Sequence, residues 1–325
     1  MNKNTTIVVT CMERRWPLTR LIKYFESHDL LDSVLIADQS KKNWDKREDF
    51  PNVRYVHVPS GIYNFYEMWK HLIEDHIRTD YVCWNNDDDF TTPEYIEKGS
   101  DFLDKNHEYT LVVGETFQFG NHPYGKSEWV REAKLGRIEN PVERVLTYFD
   151  GLFANPHVIV RKEVVLKAVQ DVIESSRMST SSLAPIKFWD KVFNFYALTM
   201  GDKKTLDCLG TVRCNRKPQA DRDKGTGSLM TILKEYPNVL EVNTEYTEII
   251  KRIGSSTIIP TFFKNHNPEL SDDKIREVLE TVFTSRLGAK SQAPEKEMRS
   301  LPSRSENGKL ALSQIDHFIN LYPNS

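Results

Sequence analysis

The feature that most constrains the fold is an alternation of short apolar strands with amphipathic helices in the first third of the chain. Five runs rich in β-branched or apolar residues have the pattern of buried strands: 6–10, 34–36, 53–58, 81–84 and 111–113. Three segments between them carry apolar residues at helical spacing: 17–25, 64–78 and 93–103. This order predicts an α/β fold, with a mainly parallel, twisted, Rossmann-like sheet and helices on both faces.

The remainder of the chain is less regular. Residues 115–150 contain scattered glycine and proline and are expected to form a long loop region. Further patterns predict strands at 157–160 and 203–214 and helices at 162–174 and 186–200. We expect one α/β domain over residues 1–227, with halves at 1–114 and 115–227. Residues 228–325 are expected to form a helical C-terminal region with helices at 229–236, 244–253 and 309–320 and a flexible stretch near 287–308.

Composition and charge exclude several classes of protein. The 325 residues are 39% hydrophobic and 28% charged, which is typical of a globular protein, and the net charge of −3 argues against a nucleic-acid partner. The four cysteines form no paired motif, so we expect a reducing compartment. No apolar run is long enough for a membrane helix, and the expected location is the cytoplasm.

The most informative motif is the acidic triplet Asp87-Asp88-Asp89, which directly follows the strand pattern Tyr81–Trp84. Adjacent carboxylates repel one another unless a cation neutralises them. Oxygen ligands favour Mg²⁺ or Mn²⁺, and Mg²⁺ completes its shell with water and substrate phosphate. The triplet therefore predicts a divalent metal and a diphosphate-bearing substrate at the carboxyl edge of the sheet. The alternative is a solvated acidic turn.

These features together resemble the inverting family 2 glycosyltransferases of GT-A fold, in a bacterial branch built around a DDDF motif. The resemblance covers about residues 5–215. It is carried by Thr10, Asp38-x-Ser40, Asp80-Tyr81-Val82, Asp87-Asp88-Asp89-Phe90, Pro93-Glu94-Tyr95-Ile96 and Glu108-Tyr109 followed by Gly114. It implies a nucleotide-sugar donor bound by residues 1–114, and a glycan or glycolipid acceptor bound by residues 115–227. It also implies a role in surface polysaccharide or glycoconjugate synthesis.

The resemblance also implies roles for residues of the donor site. Thr10 and Asp38 would contact the nucleotide base, although Asp38 could instead form a turn. Asp87 and Asp89 would hold the metal and contact the ribose, and a shift of one residue would give Asp88 that part.

Two cations complete the expected donor site. Lys70 replaces the Arg-Asn pair that many members carry in the helix before the metal motif. Arg213 begins a basic stretch that would cover the diphosphate or would form a solvated loop.

For the acceptor, the resemblance points to Asp190 as the general base, in a carboxylate position that opens a helix about a hundred residues after the metal motif. Trp189 would stack on an acceptor sugar. Glu115 is a second acceptor contact and, with Asp150, a reserve for the base. The alternative for Asp190 is a favourable charge in the first turn of its helix. His157, before a strand, is expected to be structural.

Competing functions remain open at the level of sequence. A sugar-phosphate nucleotidyltransferase of similar fold would carry a glycine-rich phosphate loop after the first strand, whereas residues 11–16 contain no glycine. The other alternative is an inactive nucleotide- or sugar-binding module. Retaining chemistry is open as well, because a fold does not set stereochemistry. The C-terminal region would allow peripheral association with the inner face of the membrane.

Overall fold

The computed structural model of the protein describes residues 4–13, 15–44, 47–59, 65–119, 128–130, 137–151, 157–176, 185–214, 258–284 and 306–321. Nine strands in these ranges form one sheet, ordered β3-β2-β1-β4-β8-β6-β9-β5, with β7 paired to β6. Their bounds are β1 Thr5–Cys11, β2 Val34–Asp38, β3 Arg54–His57, β4 Tyr81–Asn86, β5 Phe90–Thr91, β6 Tyr109–Phe119, β7 Glu128–Val130, β8 Ile159–Arg161 and β9 Asp202–Cys214.

The expected α/β fold is confirmed, but the sheet is mixed, with four parallel and four antiparallel strand pairings among the described residues. Strands β3, β2, β1 and β4 run in parallel, and β6 and β9 share their direction. The short strand β8 lies between β4 and β6 and is antiparallel to both. The pairing of β5 with β9 is also antiparallel. The carboxyl ends of β1, β2 and β4 therefore meet at one edge, which β8 enters from the opposite direction.

Nine helices lie in the described ranges: α1 Arg15–Ser27, α2 Phe65–His71, α3 Pro93–Lys105, α4 Pro141–Gly151, α5 Lys162–Ser176, α6 Pro185–Met200, α7 Ile258–His266, α8 Asp272–Thr284 and α9 Glu306–Leu321. Helix α2 continues as a π-helical turn, Leu72–His76. Helix α3 begins at Pro93, as the sequence predicts, and the side chain of Thr92 caps its first turn. None of the described helices is long and apolar enough to cross a bilayer.

Three sequence expectations need correction or fall outside these ranges. Residues 115–150 are not one long loop, because β6 continues to Phe119 and both β7 and α4 follow. The predicted helices at 229–236 and 244–253 lie outside the described residues, as does most of the stretch near 287–308.

Two apolar clusters, one on each face, confirm helices on both sides of the sheet. Helix α2 and the C-terminal helices α7 and α8 bury Trp69, Phe263 and Leu279 in one cluster. Helices α1 and α3 contribute Phe25 and Ile96 to the other. Helix α9 adds Ile315, which is fully buried, to that second cluster. The C-terminal helices therefore pack on the α/β body on both faces.

The long strands β6 and β9 approach closely where two glycines face each other. A Cβ atom on Gly114 would lie 2.5 Å from the Cα of Gly210. The pairing of β6 with β9 shifts register between Val113 and Glu115, next to this contact. The backbone carbonyl of Gly210 accepts from the N–H of Thr92, which links β9 to the start of α3. A side chain at either glycine would push the two strands apart.

Candidate active site

The acidic triplet forms the turn between β4 and β5 at the carboxyl edge of the sheet. Thr10 on β1 is in register with Asn86, the last residue of β4, so the triplet begins beside the end of β1. Asp87 and Asp89 are each 3% exposed, whereas Asp88 is partly exposed. Strand β5 then pairs Phe90 with Val212 on β9, which brings the far side of the turn to Arg213.

Hydrogen bonds from the side chain of Asn85 fix the conformation of the turn that carries the triplet. Its amide nitrogen donates to the backbone carbonyls of Asn86 at 2.8 Å and of Asp89 at 2.9 Å. Its amide oxygen accepts from the hydroxyl of Thr91 at 2.7 Å. Asn85 is fully buried, so these bonds are shielded from water. One side chain thereby fixes both ends of the acidic segment.

His157 contacts the triplet directly. Its Nε2 lies 2.9 Å from Oδ2 of Asp89, and its Nδ1 lies 3.1 Å from Oδ1 of Asn85. Because β8 is antiparallel to β4, the residue that precedes β8 is placed beside the residues that follow β4. His157 is thus structural, as expected, and it is also part of the acidic site, which the sequence analysis did not anticipate.

The hydrogen-bond partners of His157 fix the orientation of its ring. The amide of Asn85 can take only one orientation, since its nitrogen already donates to two carbonyls. Its oxygen therefore faces Nδ1 of His157, while the carboxylate of Asp89 faces Nε2. Both ring nitrogens therefore lie beside oxygen acceptors, which fixes the orientation of the ring.

Asp89 is an ionised carboxylate. Burial alone would raise its pKa, but the hydrogen bond and positive charge of His157, the cation of Arg213 and the amide of Asn86 together lower that pKa to about 2. Asn86 Nδ2 donates to Oδ2 of Asp89 at 2.9 Å, and Arg213 Nε lies 3.9 Å from the same oxygen. Arg213 lies on β9, within the predicted strand at 203–214, and its side chain is 39% exposed. The alternative of a solvated loop is therefore wrong for this residue.

Asp38 ends β2 and Thr10 is the last but one residue of β1, and their side chains lie on opposite faces of the sheet. Asp38 is in register with Cys11 and shares its face, whereas Thr10 is the neighbour of Cys11 and points the other way. Trp84 Nε1 donates to the hydroxyl of Thr10 at 2.8 Å.

The carboxylate of Asp38 is fully buried. It accepts from the backbone N–H of Ser40 at 3.0 Å, from the hydroxyl of Tyr55 and from the thiol of Cys11. The structure therefore gives Asp38 the turn-forming contacts that the sequence analysis kept as its alternative role.

Lys70 and Glu115 lie on other elements of the fold than the triplet. Lys70 occupies the last turn of α2. Its Nζ lies 3.9 Å from Oε1 of Glu74, which is one turn further from the carboxyl edge of the sheet. Glu115 is 5% exposed and is in register with Leu209, four residues before Arg213 on β9.

The candidate base lies within α6. Asp190 is the sixth residue of the helix Pro185–Met200, so it does not open the helix, and the first turn contains no acidic residue. A simple first-turn charge effect therefore does not account for it. The side chains of Trp189, Asp190 and Asp150 lie outside the described residues.

The carboxylates of the triplet fit a divalent metal ion that takes only one or two of its ligands from the protein. No group of three or more His, Cys, Asp and Glu side chains is arranged to hold an ion within the part of the chain that the structure describes. A cage made only of protein ligands is therefore absent from that part. Mg²⁺ and related ions instead use one or two carboxylates and take their other ligands from water and phosphate. Asp89, ionised and fixed in place, suits that mode.

Comparisons with known proteins identify the fold. No protein-family profile and no curated protein sequence matches the chain. Among solved structures, S. aureus TarS 1-349 in complex with UDP-GlcNAc matches with a TM-score of 0.51 and 12% identity, over 86% of this chain and 71% of that chain. Glucosyl-3-phosphoglycerate synthase from Mycobacterium tuberculosis in complex with Mn²⁺ and UDP-glucose gives a TM-score of 0.40 and 12% identity, over 78% and 80%. The chain has the α/β, GT-A-type fold.

Proposed function

We propose that this protein is a glycosyltransferase, which moves a sugar from a nucleotide-diphosphate donor to a hydroxyl group of a glycan or glycolipid. The observation that carries the proposal is the fixed acidic turn at the carboxyl edge of the sheet, where Asp89 is held ionised beside His157 and Arg213. Ligands of open α/β sheets bind at this edge. The fold shared with TarS, which was solved with UDP-GlcNAc, supports the same reading.

The donor would bind with its diphosphate between the triplet and Arg213. In this proposal Asp87 and Asp89 hold Mn²⁺ or Mg²⁺, with Asp88 as the ribose contact because it is the partly exposed member. The metal would neutralise the diphosphate that leaves with the nucleotide. The exposed part of Arg213 suits a charge-assisted bond to phosphate. Thr10 and Asp38 remain proposed base contacts, and Lys70 a more distant one.

The acceptor side of the proposal rests on α6. Asp190 would take the proton from the acceptor hydroxyl as its oxygen attacks the anomeric carbon, which inverts the configuration there. Trp189 would stack on the acceptor sugar, and Glu115 would contact it. Synthesis of surface polysaccharide or glycoconjugate, at the cytoplasmic face of the membrane, is the corresponding pathway and location.

The proposal is tested first by donor binding. Thermal unfolding of the full chain is measured with a panel of nucleotide sugars, each with Mn²⁺ and with EDTA. A true donor raises the unfolding midpoint by mass action, and the metal should enhance this. Asp87→Asn should abolish the shift, whereas Asp80→Asn, at the amino end of β4, should retain it. A panel in which no nucleotide sugar shifts the midpoint would remove the basis of the proposal.

The products of turnover distinguish a glycosyltransferase from a nucleotidyltransferase and from an inactive binding module. With the donor that stabilises the chain, release of nucleoside diphosphate is followed in the presence of glycan acceptors. A glycosyltransferase releases the diphosphate and is inhibited by EDTA. Formation of pyrophosphate from a sugar phosphate and a nucleoside triphosphate would identify a nucleotidyltransferase instead. Binding with neither product would identify an inactive module.

A further inference from the structure

A pair of histidines lies at the opposite edge of the sheet from the acidic triplet. His71 is the last residue of α2, and His76 is the last residue of the π-helical turn that follows. The turn precedes the amino end of β4, whereas the triplet follows its carboxyl end. Six residues of strand span about 20 Å, so the pair is remote from the proposed donor site.

The π-helical turn brings the two rings together. In an α-helix, residues five apart lie about 140° apart around the axis and face different directions. A π turn bonds residue i to residue i+5 instead, as the N–H of Ile77 does with the carbonyl of Leu72 at 2.9 Å. The rings of His71 and His76 consequently pack edge to face, with centroids 4.9 Å apart.

The distance between the two ring nitrogens fits a shared metal ion. The Nε2 atoms of His71 and His76 are 3.4 Å apart, which is long for a hydrogen bond between nitrogens. Two nitrogens, each about 2.0–2.1 Å from a tetrahedral Zn²⁺, lie about 3.3–3.4 Å apart. The pair therefore already has the separation of two zinc ligands.

The surroundings of the pair also match a metal site. Nδ1 of His71 lies 2.7 Å from Oδ2 of Asp75, so this carboxylate fixes the ring and directs Nε2 toward His76. A carboxylate behind a ligating histidine is the usual outer partner of a protein-bound zinc ion. Arg78 donates to the carbonyls of Glu74 and Asp75, which fixes the end of the turn. The side chain of His71 is 29% exposed, so an ion and its waters can reach it.

We propose that His71 and His76 form a zinc-binding pair, with Asp75 as the positioning residue and water in the remaining coordination positions. Nitrogen ligands select Zn²⁺ and related transition ions over Mg²⁺, so this site and the acidic triplet would prefer different metals. A bound ion would join the end of α2 to the π turn and stabilise this corner of the fold. The proposal is independent of the glycosyltransferase activity.

Calorimetry on the full, EDTA-treated and dialysed chain tests the pair. We expect one equivalent of Zn²⁺ to bind, and His71→Gln or His76→Gln to weaken the binding at least tenfold. Asp75→Asn should weaken it by about 10–100-fold, the range for outer partners of ligating histidines. His107→Gln, which changes an exposed histidine elsewhere, should bind as the parent does. Binding unaffected by the His71 and His76 changes but lost in Asp87→Asn would place the ion at the triplet and overturn the proposal.

A spectroscopic test needs no variant and covers the case in which a substitution disturbs folding. Co²⁺ in a four-coordinate site absorbs visible light far more strongly than the hydrated ion does. We expect such bands when Co²⁺ is added to the parent chain, and their loss on addition of one equivalent of Zn²⁺. A spectrum that remains that of hydrated Co²⁺ would show that the two rings only contact each other.

Discussion

Nε2 of His157 lies 2.9 Å from Oδ2 of Asp89, and both side chains are almost completely removed from solvent, at 0% and 5% exposure. A lone buried carboxylate would be costly, and here the imidazole of His157 and the amide of Asn86 contact it. The same ring also contacts Asn85, so it links the third acid of the triplet to the residue whose hydrogen bonds fix the turn. The acidic turn is therefore preorganised before any ligand binds.

We expect His157 and Asp89 to be energetically coupled. Removal of one partner leaves an uncompensated buried charge, so His157→Ala should lower the free energy of unfolding by about 3–5 kcal/mol. The double variant with Asp89→Ala should be less destabilised than the sum of the two single changes, by about 0.5–3 kcal/mol. Urea unfolding in EDTA measures all three variants.

His107→Ala is the matched control for this cycle, because His107 is exposed, and it should change stability by less than about 0.5 kcal/mol. Strict additivity of the His157 and Asp89 changes would contradict the coupling.

The framework of the donor half could be predicted because local periodicity determined it. The strands at Thr6–Thr10 and Tyr81–Trp84 and the helix that begins at Pro93 all occur where the apolar spacing places them. The position of the triplet followed from the same rule, since a polar run after a parallel strand lies at the carboxyl edge. The extension of β6 beyond residue 114 was missed because scattered glycines in that region resemble a loop.

The role of His157 could not be predicted because it depends on strand direction. In a fully parallel sheet, a residue that precedes a strand lies at the amino edge, away from the triplet. The antiparallel insertion of β8 reverses this, and no local pattern within three strand residues specifies a direction. The available signal in the sequence was Asn85 itself, an amide between a buried strand pattern and the triplet, where it would need hydrogen-bond partners.

Asp38 should stabilise the loop after β2 whatever its part in donor binding. Its carboxylate accepts from Ser40 and Tyr55, so Asp38→Ala should lower the free energy of unfolding by about 1.5–3 kcal/mol. If Asp38 also reads the nucleotide base, the same variant should lose about 1.5–3 kcal/mol of binding free energy for the nucleoside diphosphate. Urea unfolding and calorimetry measure the two effects separately.

Tyr55→Phe distinguishes the two roles of Asp38, because it removes one donor and keeps the carboxylate. It should reduce stability while nucleotide affinity stays near that of the parent. Unchanged affinity in Asp38→Ala would limit this residue to the loop.

Lys203 should make stability depend on pH. Burial lowers the pKa of this lysine to about 7 in the folded chain, from about 10.4 when unfolded. The unfolded chain therefore binds more protons between those values, and stability should rise as pH increases from 7 toward 10. Because other groups titrate there too, the measured quantity is the difference between the parent and Lys203→Met.

The stability of the parent relative to that of Lys203→Met should rise by about 1–3 kcal/mol between pH 7 and pH 9, because the folded parent then loses its buried charge. Lys204→Met, the adjacent and exposed lysine, is the control and should show no such trend. A constant difference for Lys203→Met would mean that the amino group is charged in the folded chain throughout this range.

The last prediction separates binding from chemistry at Asp190. Its place in the second turn of α6 removes the first-turn charge effect as an explanation, and it also differs from the helix-opening position that the resemblance implies for the base. A general base acts on the acceptor hydroxyl and contributes little to donor affinity. Asp190→Asn keeps the shape of the side chain but cannot accept the proton, so kcat should fall by about 10²–10⁴-fold with the donor Kd unchanged.

Donor calorimetry and initial rates of diphosphate release give both quantities for Asp190→Asn. Asp171→Asn is a useful comparison, because Asp171 is a buried acid that binds Lys167 and Tyr196 between α5 and α6, and its loss should reduce stability more than turnover. If Asp190→Asn transfers sugar at the parental rate, the base is another acid, and Asp150 and Glu115 are the next to change. If it loses folding and donor binding together, Asp190 supports the helix and takes no part in the proton transfer.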